Sequence, residues 1–195
     1  MSINTEIEFK TMLSKNEYNE LLQTLTYQQE IQQENFYFDT PNQLLKQNRM
    51  GLRVRIFPHN AELTLKIPKN DNELIEMNHQ LTDSEFKKFK KSLSLPYYDK
   101  IANYLAEQNI NYDDLQLFAR LATHRYVNQL TSDATIMLDK SSYYGMIDYE
   151  LEMEVNDRNR GSKLFFSFLK EYNITYRKAD NKIARALHAK INSDF

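Results

Sequence analysis

Apolar and polar residues alternate with period 2 over several short stretches of the chain, the pattern of strands with one face buried. In TEIEFKTML, Glu6, Glu8 and Lys10 share one face while Ile7, Phe9 and Thr11 share the other. ENFYFDT reads as a second strand, stopped by the turn signal Asp-Thr-Pro. RMGLRVRIF sets Arg49, Arg53 and Arg55 opposite Leu52, Val54 and Ile56, and AELTLKIP sets Glu62, Thr64 and Lys66 opposite Leu63, Leu65 and Ile67. The tight turn PHNA between these two predicts a hairpin. NELIEMNHQ (72–80) is a fifth strand, with Glu76 among polar neighbours. Strand character resumes in ARLATHRYV and ATIMLDK. It ends in YGMIDYELEMEV, where Asp148, Glu150, Glu152 and Glu154 oppose Ile147, Tyr149, Leu151, Met153 and Val155.

Helical spacing fills the rest. Ser14 with Glu17, and Thr82 with Glu85, have the spacing of capping boxes. Behind the first, Tyr18, Leu21, Leu22 and Leu25 form an apolar face; behind the second, Phe86, Phe89 and Leu93 do. DKIANYLAEQN, RGSKLFFSFLKEY and DNKIARALHAKI are further helices. About eight strands fall in the range where a sheet closes with a small interior. The fold class is α+β: a closed eight-stranded antiparallel β-barrel with helices packed outside. Residues 1–195 are expected to form one domain, whose strand-rich beginning and strand-rich segment 117–156 flank a helical middle.

The apolar faces can pack against those helices only if the charged faces line the lumen. A solvated charged exterior is the alternative, and for Glu-x-Glu-x-Lys alone it is the simpler one. Arg53, Arg55 and Lys66 taken singly could equally be surface residues in weak ion pairs.

Composition narrows the chemistry. Cysteine is absent, which excludes disulfides, thiolate catalysis and Cys-based zinc sites. The 25 Lys and Arg against 27 Asp and Glu give no general reason to expect nucleic-acid binding. No stretch of about 18 apolar residues occurs and MSINTEIEFK lacks a secretion pattern, so a cytoplasmic protein without membrane association is expected. His59, His79, His124 and His188 are not spaced as metal ligands, and the aromatic residues read as packing.

The sorted charges carry the functional signal. Carboxylates two residues apart on a strand lie about 6–7 Å apart on one face. Glu6 with Glu8, and Glu150 with Glu152, therefore form two acidic ladders that repel unless protonated or neutralised by a cation. Oxygen donors without sulfur point to a hard divalent ion, Mg²⁺ or Mn²⁺. Arg53, Arg55, Lys66, Arg125, and Lys178 or Lys182, could surround several phosphoryl oxygens. Metal carboxylates with anion-binding cations are what phosphoryl transfer requires.

At this point the motifs resemble those of the CYTH domain, or triphosphate tunnel metalloenzyme, superfamily. Glu6-Ile7-Glu8-Phe9-Lys10 is similar to its ExExK signature. The likeness continues through LRVR (52–55), LTLK (63–66), THR (123–125), LDK (138–140), YYGMIDYELEME (143–154) and YRKADNKIARAL (176–187). The resemblance implies a barrel forming a tunnel in which Glu6, Glu8, Glu150 and Glu152 ligate divalent metals. Lys10, Arg53, Arg55, Lys66, Arg125 and Lys182 would bind or polarise a triphosphate, with Lys178 competing for the tail position. Asp139 matches a position linked to metal or the reacting phosphate, and Glu76 an acidic tunnel position. Glu6, Glu8, Lys10 and Glu152 are the implied catalytic residues.

Members include inorganic and thiamine triphosphatases, RNA triphosphatases and a class of adenylate cyclases. The expected activity is metal-dependent hydrolysis of an inorganic or small organic triphosphate by a monomer or homodimer. The alternatives are a class IV-type adenylate cyclase and a non-catalytic module that binds polyphosphate or nucleotide.

Overall fold

A computed structural model of the chain describes residues 2–70 and 73–193. Its strands are β1 (Ser2–Leu13), β2 (Gln29–Asp39), β3 (Gly51–Ile56), β4 (Ala61–Asn70), β5 (Glu73–Gln80), β6 (Gln116–Thr131), β7 (Ala134–Tyr143) and β8 (Met146–Val155). They close into one barrel in the order β1-β5-β4-β3-β2-β6-β7-β8, and every neighbouring pair is antiparallel. Closure leaves no open sheet edge. The α+β barrel expected from the alternation is therefore the observed fold.

Helices cover the barrel in two patches, each built on the outward apolar face of a set of strands. Over β2 to β5, Phe36, Phe38, Leu52, Val54, Leu63 and Leu65 pack with α2 (Leu44–Gln47), α3 (Asp83–Ser92) and α4 (Asp99–Glu107) through Leu45, Phe89, Ile101 and Leu105. Over β1, β7 and β8, Phe9, Ile136, Leu138, Leu151 and Met153 pack with α1 (Lys15–Thr24) and α5 (Arg158–Glu171) through Leu21, Phe165 and Phe168. With their apolar faces taken up outside, the opposite faces of the same strands turn inward by the pleat.

Both predicted capping boxes form. Glu17 N–H donates to Ser14 Oγ while Ser14 N–H donates to Glu17 Oε2 at 2.6 Å, and Thr82 and Glu85 reciprocate in the same way. Glu17 also takes a two-pronged contact from Arg177, at 2.8 and 2.9 Å. Met12 N–H and Thr11 Oγ1–H both donate to Arg177 C=O, so the segment after α5 is fastened along β1 before α6 (Lys182–Ser193) begins.

The last helix is not an outer layer. Ala186 and Ile183 pack on Tyr37, Ala119 and Leu121, which lie on the inward faces of β2 and β6, so α6 closes one end of the barrel. Gly51 at the start of β3 gives it room, since a Cβ there would lie 3.0 Å from Ile183 Cδ1.

Other differences are local. The strand expected from 49 starts at Gly51; Arg49 is an exposed turn residue with φ 57° after the short α2, so it does not share a face with Arg53. Strands β2 and β6 run well past the predicted 34–40 and 119–127, pairing with each other from Gln29↔Val127 to Asp39↔Gln116. Residue 72 of the predicted fifth strand lies outside the described residues. No described helix is long and apolar enough to cross a membrane.

Candidate active site in the barrel lumen

Each inward strand face delivers its charged residues to the lumen at positions fixed by register. Arg53 pairs with Thr64, Arg55 with Glu62 and Lys66 with Glu76; Arg125 pairs with Asp139, Asp139 with Glu150 and Lys10 with Glu152. Residues dispersed from position 6 to position 152 thus meet because the barrel closes, and α6 adds Lys182 at one end.

One group forms around Lys66. Its Nζ lies 2.6 Å from Glu6 Oε2 and 2.8 Å from Glu76 Oε1. Glu8 and Lys10 pair at 3.1 Å alongside. Burial pushes the Glu6 carboxyl up to about 7, Lys66 opposing and the Glu8 and Glu76 carboxylates adding to the rise. For Glu76, burial is outweighed by Lys66 and Arg53, which hold it down at about 2. Glu154, at the mouth away from α6, is also raised, by burial and by Glu76 and Glu8. Negative charge is under-compensated here.

A second group forms around Lys182, the first residue of α6. Its Nζ contacts Glu152 Oε1 at 2.5 Å, Glu150 Oε2 at 2.8 Å and Asp139 Oδ2 at 2.9 Å. Arg125 forks onto both oxygens of Asp139 at 2.7 Å and also donates to Glu152. Although burial works against ionisation, Arg125 and Lys182 keep Asp139 below the usual carboxylate range, and Lys182, Arg125 and Lys10 keep Glu152 there.

Between the two lies a band of positive charge with less to balance it. Arg55 Nε donates to Asn35 Oδ1 at 2.9 Å, and its nearest carboxylate, Glu62, is 3.8 Å away. Burial, then the Arg53 and Arg125 guanidiniums, push Arg55 down to about 9. Arg53 Nε is buried and has no hydrogen-bond partner among the described residues. Orphaned buried donors of this kind are costly unless a ligand takes them up.

The structure therefore brings together Glu6, Glu8, Lys10, Arg53, Arg55, Lys66, Glu76, Arg125, Asp139, Glu150, Glu152 and Lys182. It does not bring Lys178 in: that residue is exposed in the segment leading to α6, whereas Lys182, at the helix start, is carried into the barrel. Charged inward residues outside the sequence-predicted set include Glu62, which faces Arg55, and Glu154, Arg185 and Asp148. Glu154 belongs to the acidic ladder that was read. Arg185 and Asp148 form an ion pair at 2.9 Å, and only the phase of α6 relative to Lys182 could have exposed that relationship.

Among the described residues no three acidic or histidine side chains converge as a ready-made metal cage. The six acidic residues expected as ligands are instead divided between the two lysine-centred groups. The donor chemistry nevertheless fits a hard cation. All donors are oxygens, Glu6 and Glu154 are pushed up by burial with the neighbouring carboxylates adding to the rise, and Glu150 Oε1 is buried without a partner among the described residues.

The chain is similar to a Bacillus subtilis (strain 168) protein named "Putative triphosphatase YjbK", at 36% identity over 99% of this chain and 100% of that one. A crystal structure of "a putative adenylate cyclase" from Bacillus halodurans is 30% identical, with TM-score 0.85 over 95% of this chain and 98% of that one. A Hippeastrum protein described as a "Putative adenylyl cyclase" that "reveals a dominant triphophatase activity" has the same fold, with 18% identity and TM-score 0.71 over 95% of each chain. The model of the CYTH domain family matches residues 4–187, and the chain belongs to that family.

Proposed function

We propose that this chain is a divalent-metal-dependent triphosphatase, acting on inorganic triphosphate or a small organic triphosphate, and that one CYTH domain accounts for residues 1–195. The observation that carries this reading is the pair Arg53 and Arg55, crowded, half-buried and under-neutralised, between two sets of carboxylates and facing the carboxylate-bound Arg125. An anion of several charges relieves the arginines, and a cation relieves Glu6, Glu8 and Glu154. A metal-complexed triphosphate supplies both.

In this reading Arg53, Arg55 and Arg125 fork onto phosphoryl oxygens, while Lys66, Lys10 and Lys182 act as point charges along the same chain. Glu6 and Glu8, with Glu76 and Glu154 beside them and Glu150, Glu152 and Asp139 across the lumen, are the residues that would hold Mg²⁺ or Mn²⁺. The bound ion supplies charge neutralisation and polarisation of the phosphoryl group. The barrel wall and α6 hold the phosphates in a fixed line and limit the solvent that reaches them, so that water attacks the terminal phosphorus of an aligned substrate.

A second reading is favoured by the name of the Bacillus halodurans relative: cyclisation, in which a ribose 3'-hydroxyl attacks the α-phosphorus and pyrophosphate leaves. The test is product release from tripolyphosphate, ATP and thiamine triphosphate with Mg²⁺, Mn²⁺ or chelator. Metal-dependent orthophosphate supports the triphosphatase. Cyclic AMP with pyrophosphate replaces it with the cyclase. Tight binding without any product replaces both with a binding module.

A further inference from the structure

Lys182 and Arg185 stand three residues apart at the start of α6, and both reach Glu150. The Arg185 guanidinium contacts more than that one residue. Its Nη2 donates to Glu150 Oε2 at 2.6 Å, its Nη1 donates to Asp180 C=O at 2.6 Å and approaches Met12 Sδ at 3.3 Å, and its Nε forms an ion pair with Asp148 Oδ2 at 2.9 Å without the alignment of a hydrogen bond. Asp148 is in turn held by the Tyr143 hydroxyl. One side chain thus joins two rungs of the β8 ladder, the end of β1 and the lead-in to α6.

The contacts around it make that junction consequential. Glu150 is fully buried, and its Oε2 is shared between Arg185 and Lys182, which leaves Oε1 as its free acceptor. The position of Lys182 among Asp139, Glu150 and Glu152 exists only while the first turn of α6 is seated. The helix is otherwise held there by Ala186 and Ile183 against Tyr37, Ala119 and Leu121, and by Lys190 Nζ on the Phe118 carbonyl. Those apolar contacts set how deep the helix sits; beside the Lys182 ion pairs, a guanidinium shared between two carboxylates adds a second directional anchor on the same turn.

We propose that Arg185 is a positioning residue of the active site: it latches the first turn of α6 to Asp148 and Glu150 and so sets both Glu150 and Lys182 for the triphosphate. It acts through these residues and makes no contact with the reacting phosphate. The inference rests on the triphosphatase reading for its kinetic consequence, though the latch itself is a property of the protein's own side chains.

The test compares R185A, R185K and D148N with the wild type in two measurements: kcat/KM for tripolyphosphate with Mn²⁺, and hydrogen exchange of the α6 amides in metal-free protein. R185A is expected to lower kcat/KM at least tenfold and to speed exchange in the first turn of α6 while the barrel strands stay protected. R185K, which keeps the charge and one contact, is expected to recover part of both. Wild-type kcat/KM in R185A overturns the proposal. So does a loss of rate with α6 fully protected, because Arg185 would then act on substrate directly. If R185A fails to fold, D148N decides: it removes one anchor only, and unchanged exchange and rate in it overturn the latch. A wild-type protein that releases no phosphate from any triphosphate defeats the triphosphatase reading, and the exchange comparison still decides the latch.

Discussion

Lys66 Nζ meets Glu6 Oε2 at 2.6 Å across an intervening strand, β5, which presents Glu76 to the same ammonium at 2.8 Å. One cation thus restrains two carboxylates and also lies on the proposed path of the triphosphate. Lys66→Ala is expected to weaken tripolyphosphate binding by about 1.5–3 kcal/mol, the range for a charge-assisted contact, or roughly 10- to 150-fold. Calorimetry on the metal-free protein with the substituted chain measures it. Unchanged affinity would mean that Lys66 serves only Glu6 and Glu76.

The raised Glu6 carboxyl predicts a pH dependence for metal uptake. Its value of about 7 in the metal-free lumen lies above its ordinary 4.5, so the group is largely protonated at pH 6 and largely ionised at pH 8. A metal binds only the ionised form and must displace the proton below about 7. Mn²⁺ affinity is therefore expected to rise with pH, approaching about tenfold per unit below pH 7, and to level off above it. The same linkage makes ionised Glu6 a burden on the fold, whose stability in metal-free solution falls as pH rises from about 4.5 to about 7. Titrating Mn²⁺ binding by electron paramagnetic resonance between pH 5.5 and 8.5 checks the first part; a flat profile would remove Glu6 from the metal set.

The acidic residues should separate into two kinds on mutation. Glu8 pairs with Lys10 in the under-neutralised part of the lumen, so Glu8→Gln is expected to abolish metal-dependent turnover with little loss of stability. Glu152 is different, because Lys182, Arg125 and, across the strand pair, Lys10 all look to it. Glu152→Ala leaves buried cations short of a partner and is expected to cost stability as well as activity, up to about 3–5 kcal/mol. Depressed Asp139 and Glu152 contribute stability that is fully present above their ordinary values of 3.8 and 4.5 and is lost as pH falls below them. Urea unfolding of both variants at pH 7 and pH 4 separates the cases: Glu152→Ala should show a smaller difference between the two pH values than Glu8→Gln.

The lumen was legible from sequence wherever a strand alternated strictly. Glu6, Arg53, Lys66 and Glu152 fall on inward faces because Ile7, Val54, Leu65 and Leu151 are taken up on the outer ones. Arg49 escaped the rule because a turn with positive φ intervenes before β3, which a period-2 count does not detect. The beginning of β2 is invisible to the same count. Gln29, Glu30, Gln32 and Gln33 offer little apolar alternation, and pairing with β6 makes that stretch a strand. The tail was ambiguous between Lys178 and Lys182 because choosing between them requires knowing where α6 starts and that it enters the barrel. Arg185 became visible only once that was known.

Gly161, in the first turn of α5, offers a test of how tightly the helical cover sits on the barrel. A Cβ at this position would lie 2.4 Å from Val155 Cγ2 and 2.9 Å from Val155 Cβ, at the end of β8. Substituting alanine in a helix ordinarily gains roughly 0.5–1 kcal/mol over glycine. Overpacking of this kind ordinarily costs roughly 1–3 kcal/mol, and both clashing atoms belong to a β-branched side chain with little freedom to turn away. The clash should win, so Gly161→Ala is expected to destabilise the protein despite its better helix propensity. Adding Val155→Ala removes both Val155 Cγ atoms, so the double variant should lose less stability than the sum of the two single changes. Thermal unfolding of the four proteins in this cycle measures the coupling; strict additivity would show that α5 can shift away from β8 at little cost.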